Sequence, residues 1–212
     1  IEVPNITREE HALAKLRRVR QQGDRLSSGG GVEIWDVSGH QRRVHQIERA
    51  VGVDGLHFDY VRFASPDFDY SRTSLAQFEK WLKPQLTNDE RRELKAAVKQ
   101  DPLAAPEKFP AKFADFQRAQ VTALVERIYR AVKKRNPGVL VSAAVFANDE
   151  NAYTRRFQNW RHWLQMGILD VACPMAYSTD TAVFQKQIEI AATTAHAAKR
   201  SVWAGIGAYR IP

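Results

Sequence analysis

The chain has a single cysteine, only two methionines, and no apolar run close to the ~18 residues of a membrane span. With one thiol, Cys173, there is no internal disulfide framework and no metal site built from several cysteines. Cys173 itself is most simply a small apolar strand residue. A glycine-rich phosphate turn after an early strand is also missing. Gly29-Gly-Gly31 precedes a strand rather than a helix, which argues against an open nucleotide-binding sheet. Aromatic residues do not interleave with the basic ones, so there is no platform for stacking single-stranded nucleic acid. The chain opens Ile-Glu-Val-Pro, without Met, a basic n-region or an apolar h-region. It is expected to be a piece of something longer, with any targeting signal outside it.

What is present fits one large folded domain or two small ones. The 212 residues are 44% hydrophobic, enough for a sizeable single core. A net charge of +8 favours anionic partners such as polysaccharide, an envelope surface or nucleic acid. The basic residues lie along helices (Arg17, Arg18 and Arg20; Arg91 and Arg92; Lys133, Lys134 and Arg135) and are mixed with Glu, as on solvated helix faces. Nucleic acid is therefore not expected as a partner. Binding of that kind would show a steep loss of DNA affinity with salt.

Strand and helix patterns alternate along the chain. Thr7-Arg-Glu-Glu10 is a capping-box pattern opening a helix that ends near Gly23, and Ser27 to Gly31 reads as a loose connection. A strand is expected at 32–35, a helix around 39–50 and a strand at 55–62. Ser74-Leu-Ala-Gln77 reads as a second capping box, with Leu75, Phe78 and Leu82 on the buried stripe. Pro84 to Pro110 is charged and proline-punctuated, as in a helical insertion. Val121, Leu124, Val125, Ile128 and Val132 keep the 3.6-residue helical period until Asn136-Pro-Gly138 stops it. The apolar run 139–146 reads as a strand covered on both faces. A helix with Phe157, Trp160 and Leu164 ends at Gly167, a strand at 169–177 follows, then a helix over about 181–198 and a last strand at 202–209. Five alternations imply a parallel sheet with crossover helices, and a (β/α)-barrel suits them better than a doubly wound sheet. Eight barrel strands usually need ~250 residues, so part of the barrel is expected to be missing.

In such barrels the working residues sit at the carboxyl ends of strands. Those positions hold Trp35 and Asp36; His57, Asp59, Tyr60 and Arg62; Asn148, Asp149 and Glu150; Met175, Tyr177 and Asp180; and Tyr209 and Arg210. Val53 to Arg62 is the most informative run, because a buried strand does not carry His57 and Asp59 two residues apart unless their shared face opens on a polar space. Carboxylates, an amide, an arginine and aromatic rings on one rim are what a sugar cleft needs. Plainer roles compete. Asp36 reads as a helix cap, and for Asp180 capping and catalysis stand level. Asp149 and Glu150 also suit a polar turn. Trp160 and Trp163 read as packing residues, and His11, His162 and His196 as helix-surface residues. His40 and His45, five apart on a helix, do not face each other as metal ligands.

Several blocks carry a family resemblance: Val53-Asp-Gly-Leu-His-Phe-Asp-Tyr-Val-Arg62, Arg118 to Val125, Pro137 to Val145, Gln158-Asn-Trp160 continued by Trp163, Gly167-Ile-Leu-Asp170, and Pro174-Met-Ala-Tyr177. Through them the chain, over residues 31–210, resembles the glycosyl-hydrolase-like family ten of bacterial proteins, TIM-barrel glycosidase-like proteins. It departs from the pattern at Gln117, where the family has the first of two arginines, and at Asn159, where it usually has Asp. The resemblance implies a (β/α)8 TIM-barrel-type parallel β/α repeat, incomplete on its amino-terminal side, with a helix and linker over 1–30. The barrel domain then spans 31–212, with its helical insertion at about 83–110. It also implies hydrolysis of a glycosidic bond in a bacterial or environmental polysaccharide, at an extracytoplasmic location (periplasmic, envelope-associated or secreted).

The expected mechanism uses two carboxylates, Asp59 as the ionised partner and Asp180, Asp149 or Glu150 as the acid. Arg62 and His57 would orient Asp59, while Trp35, Tyr60, Asn148, Met175, Tyr177 and Tyr209 line sugar subsites. No metal or organic cofactor is expected. The alternative expectation is a glycan-binding envelope module on a degenerate barrel, without cleavage.

Overall fold

The computed structural model describes residues 54–210. The expected helices at 7–23 and 39–50, the strand at 32–35, and with them Trp35 and Asp36, lie outside the described residues. In chain order the elements are β1 (Gly55–Phe58), α1 (Arg72–Leu82), α2 (Asn88–Gln100), α3 (Ala104–Lys108), α4 (Pro110–Arg135) and β2 (Leu140–Val145). Then come α5 (Asp149–Arg155), α6 (Trp160–Gln165), β3 (Val171–Ala176), α7 (Thr181–Ala197), β4 (Ser201–Val202) and β5 (Gly205–Ile206). The described residues divide into two compact units, one of residues 67–116 and the other of 54–66 and 117–210.

The first unit is helical. Ser71 caps α1 by accepting from the Ser74 amide, so the helix starts three residues before the point that the Ser74 pattern indicated. Ser74 occupies the third helical position instead. Thr87 and Glu90 form a reciprocal capping box at the head of α2. Apolar residues at helical spacing converge on one cluster of Phe78, Leu82, Leu86, Leu94, Phe113 and Phe116. The Phe78 and Phe113 rings meet edge-on at 4.9 Å, a favoured aromatic geometry.

The second unit is a parallel sheet flanked by helices. Its order is β1-β2-β3-β4, and β5 also pairs with β3. All these pairings are parallel. From Val141 to Val145, β2 is buried at every position, as its nearly continuous apolar run required. Val121, Val125, Ile128 and Val132 of α4 are buried as the period indicated, together with Trp160 and Trp163, both packing residues.

Three expected elements are cut short or divided. The strand expected over 55–62 ends at Phe58, because Tyr60 takes a left-handed backbone (φ 54°) that extended pairing cannot continue. Phe157 (φ 53°) separates α5 from α6 where one helix was expected. The last strand is split into β4 and β5, each two residues long. The result is α/β, with parallel strands joined through helices. It is consistent with part of a TIM barrel, and among the described residues no closed ring of eight strands is present.

Candidate functional site

Because the strands are parallel, the carboxyl ends of β1, β2 and β3 share one edge of the sheet. On β1 the exposed positions are Gly55 and His57, while Leu56 and Phe58 turn inward, the alternation expected of a pleated strand. His57 Nδ1 lies 2.8 Å from Ser142 Oγ, its register partner on β2. The Ser142 hydroxyl also lies 3.4 Å from the Leu56 carbonyl, to which it can donate.

Asp59 is the first residue past β1 and is exposed. Its Oδ1 accepts the Tyr60 amide proton at 2.8 Å. No ion pair joins Asp59 to Arg62. The Arg62 guanidinium lies over the Tyr60 ring, 4.0 Å from its centroid, and 5.1 Å from that of Phe146. Arg62 Nη1 is buried without a hydrogen-bond partner. The expectation that Arg62 orients Asp59 through direct contact therefore fails. The cation settles on aromatic faces instead.

The loop that carries Asp59 is anchored by residues whose positioning role was not expected. Phe63 N–H donates to the Arg156 carbonyl at 3.0 Å, and the Arg156 guanidinium donates to the Ala64 carbonyl. Gln158, 1% exposed, donates through Nε2 to the carbonyls of Val61 (3.3 Å) and Ala144 (3.1 Å) and accepts from Phe146 N–H at 2.8 Å. The only signal for this in the sequence was the Gln158-Asn-Trp160 block.

After β2, Asn148 caps α5 by accepting from Asn151 N–H at 2.7 Å. Asp149 is ion-paired with Arg161 at 2.7 Å. Asp149 and Glu150 line a pocket of about 460 Å³ with Asn159, Arg161 and His162, and none of His57, Asp59, Tyr177 or Asp180 lines it. The Glu150 carboxylate has no partner among the described residues, unlike Asp149.

After β3, Tyr177 and Tyr209 meet edge-on at 6.2 Å, with Tyr209 81% exposed, and Met175 is half-buried. Asp180 caps α7, accepting from Ala182 N–H (2.8 Å) and Val183 N–H (3.0 Å). Of its two readings, the cap is the one the geometry displays.

At the amino end of β3, Asp170 gathers Lys133 (2.7 Å), Arg200 (2.7 Å), the Tyr129 hydroxyl (3.0 Å) and Val141 N–H (2.9 Å). Burial alone would raise its carboxyl, but the hydrogen bonds from Lys133, Val141 and Tyr129 outweigh it and hold the group below the usual range. The same burial pushes the Tyr129 hydroxyl and the Cys173 thiol up. Among the described residues no three His, Cys, Asp or Glu side chains cluster as a metal site, and no helix is long and apolar enough to cross a membrane.

A parallel β/α sheet with acids, an imidazole and exposed tyrosines along its carboxyl edge is consistent with part of a TIM-barrel-like glycosidase fold. The chain belongs to the glycosyl hydrolase-like 10 family, whose family model matches residues 41–212. This agrees with the resemblance carried by the sequence blocks and supports a glycosidase-related function. No curated protein matches the chain.

Proposed function

We propose that the protein hydrolyses a glycosidic bond with a pair of carboxylates, Asp59 acting as nucleophile or base. The observation that carries this is the position of Asp59: exposed, one residue past β1, and engaged among the described residues only by the amide of its own neighbour. A carboxylate that does no structural work at a strand's carboxyl end is available to substrate. The second group must donate a proton to the leaving oxygen. Asp180 and Asp149 already serve as acceptors, to a helix end and to Arg161. Among the described residues Glu150 has no such duty, and we assign it the acid. His57, Tyr60, Tyr177 and Tyr209 would contact sugar rings and hydroxyls, in a polysaccharide met outside the cytoplasm.

The test is reducing-sugar release from a panel of bacterial polysaccharides. Asp59→Asn keeps the acceptor for Tyr60 N–H, so it should abolish turnover while leaving glycan affinity within a few-fold. Glu150→Gln should slow turnover by roughly 10²–10⁴-fold, the usual worth of a general acid. Asp180→Asn should retain activity, since Asn caps a helix as well as Asp does.

The second reading is a glycan-binding module without cleavage, and it is favoured by the structural duties of Asp180 and Asp149. It prevails if wild type and Asp59→Asn release equally little sugar from every glycan that they bind.

A further inference from the structure

We propose that the groove between α1 and α2 is a docking site for an acidic polypeptide segment bearing an aliphatic side chain. The groove has a volume of about 680 Å³ and lies wholly within the helical unit. Lys80 and Lys83 stand on one wall, and Arg91, Arg92, Lys95 and Lys99 on the other. Among the described residues Glu79 is the only acid lining it, and Leu86, Leu94 and Val98 contribute to its floor.

This concentration of positive charge is not a by-product of composition. Residues 67–116 contain nine basic and nine acidic side chains, so the segment is neutral overall. The acids are used elsewhere. Glu90 completes the capping box, Glu93 pairs with Lys108, and Asp101 accepts from Leu103 N–H; Asp89 pairs with Arg92 of the wall itself, which leaves the lysines as its unpaired charge. Lys80, Lys83, Lys95 and Lys99 are exposed, and none has an ion-pair partner among the described residues. Like charges facing each other across a groove repel, and an anionic occupant reverses that sign.

The lining also selects the class of occupant. Among the described residues it contains no aromatic ring, side-chain amide or hydroxyl, the groups that stack on sugars and hold their hydroxyls. A bilayer needs apolar side chains that protrude, whereas Leu86 and Leu94 are 6% and 7% exposed beneath the lysines. Aliphatic lysine stems over an aliphatic floor suit a Leu-like side chain flanked by carboxylates. The proposal shares no residue with the glycosidase reading and stands apart from it.

The experiment is fluorescence anisotropy on the full chain with a labelled peptide of repeating Glu-Leu-Glu-Asp. Saturable binding at low salt, weakened as salt rises, is expected. The triple variant K83E/K95E/K99E should weaken it at least tenfold, and R127E/K134E, at exposed positions on α4, should leave it unchanged. A Glu-Gly-Glu-Asp peptide should bind several-fold less well. Circular dichroism checks the fold, and K83Q/K95Q/K99Q serves if the reversal lowers helicity. Four outcomes overturn the proposal: no binding at low salt, equal loss in both reversal variants, equal affinity for the glycine peptide, or tighter groove-dependent binding of polyglucuronate, duplex DNA or phosphatidylglycerol vesicles.

Discussion

Asp170 is 7% exposed and faces two cations, so its contribution to stability depends on remaining charged. Its carboxyl is held below the ordinary range in the fold, whereas the unfolded chain releases it to about pH 4. Below that value the unfolded state binds more protons than the folded one, so stability falls with falling pH and is intact above it. Asp170→Asn leaves Lys133 and Arg200 without a counter-charge and should cost about 3 kcal/mol or more at pH 7. Urea titrations at pH 7 and pH 3 check this, and the variant's penalty should shrink at the lower pH. Single residues were unequally legible in the sequence. Asp59 stood out because an acid in an apolar run demands a reason. The work of Asp170 and Gln158 did not, because their partners lie 12 to 97 positions away in the chain.

Elements were most legible where a period runs long. The buried stripe of α4 and the unbroken strand β2 could be read directly, since burial on one face or on both leaves its mark residue by residue. Ends were harder. Ser71 and Ser74 are both plausible caps three residues apart, and only the backbone at Ser71 settles which one is used. Tyr60 and Phe157 break their elements with positive φ, a conformation that neither residue type advertises. Gly167 does advertise it: it follows α6 at φ 69°, and a Cβ there would lie 2.8 Å from Arg200 Nη2. Gly167→Ala should destabilise the protein by about 1–2 kcal/mol from the left-handed backbone. Displacement of Arg200 from Asp170 adds to this. A lowered midpoint of thermal unfolding, with the far-ultraviolet spectrum retained, is the expected result.

At the scale of the whole molecule, alternation of strand and helix was enough to indicate a parallel α/β sheet, and the parallel pairings agree. The split of the last strand was not visible, because Val202 to Tyr209 is apolar throughout and nothing in it marks Trp203 and Ala204 as a gap. The sorting of lysines to one groove was hidden too. A sequence reports that basic and acidic residues alternate, and only the helix faces reveal which of them meet. The scarcity of cysteine has a practical side. Cys173 lies on β3 between two strands, half-buried, with its thiol pushed up by burial. Thiolate is the reactive form, so the native sheet should react slowly with an alkylating probe, and opening the sheet should restore ordinary reactivity. Labelling across a denaturant series should rise in step with loss of helical signal. The protein thus carries a built-in reporter, a lone thiol whose rate of capture measures how often the middle of the sheet comes apart.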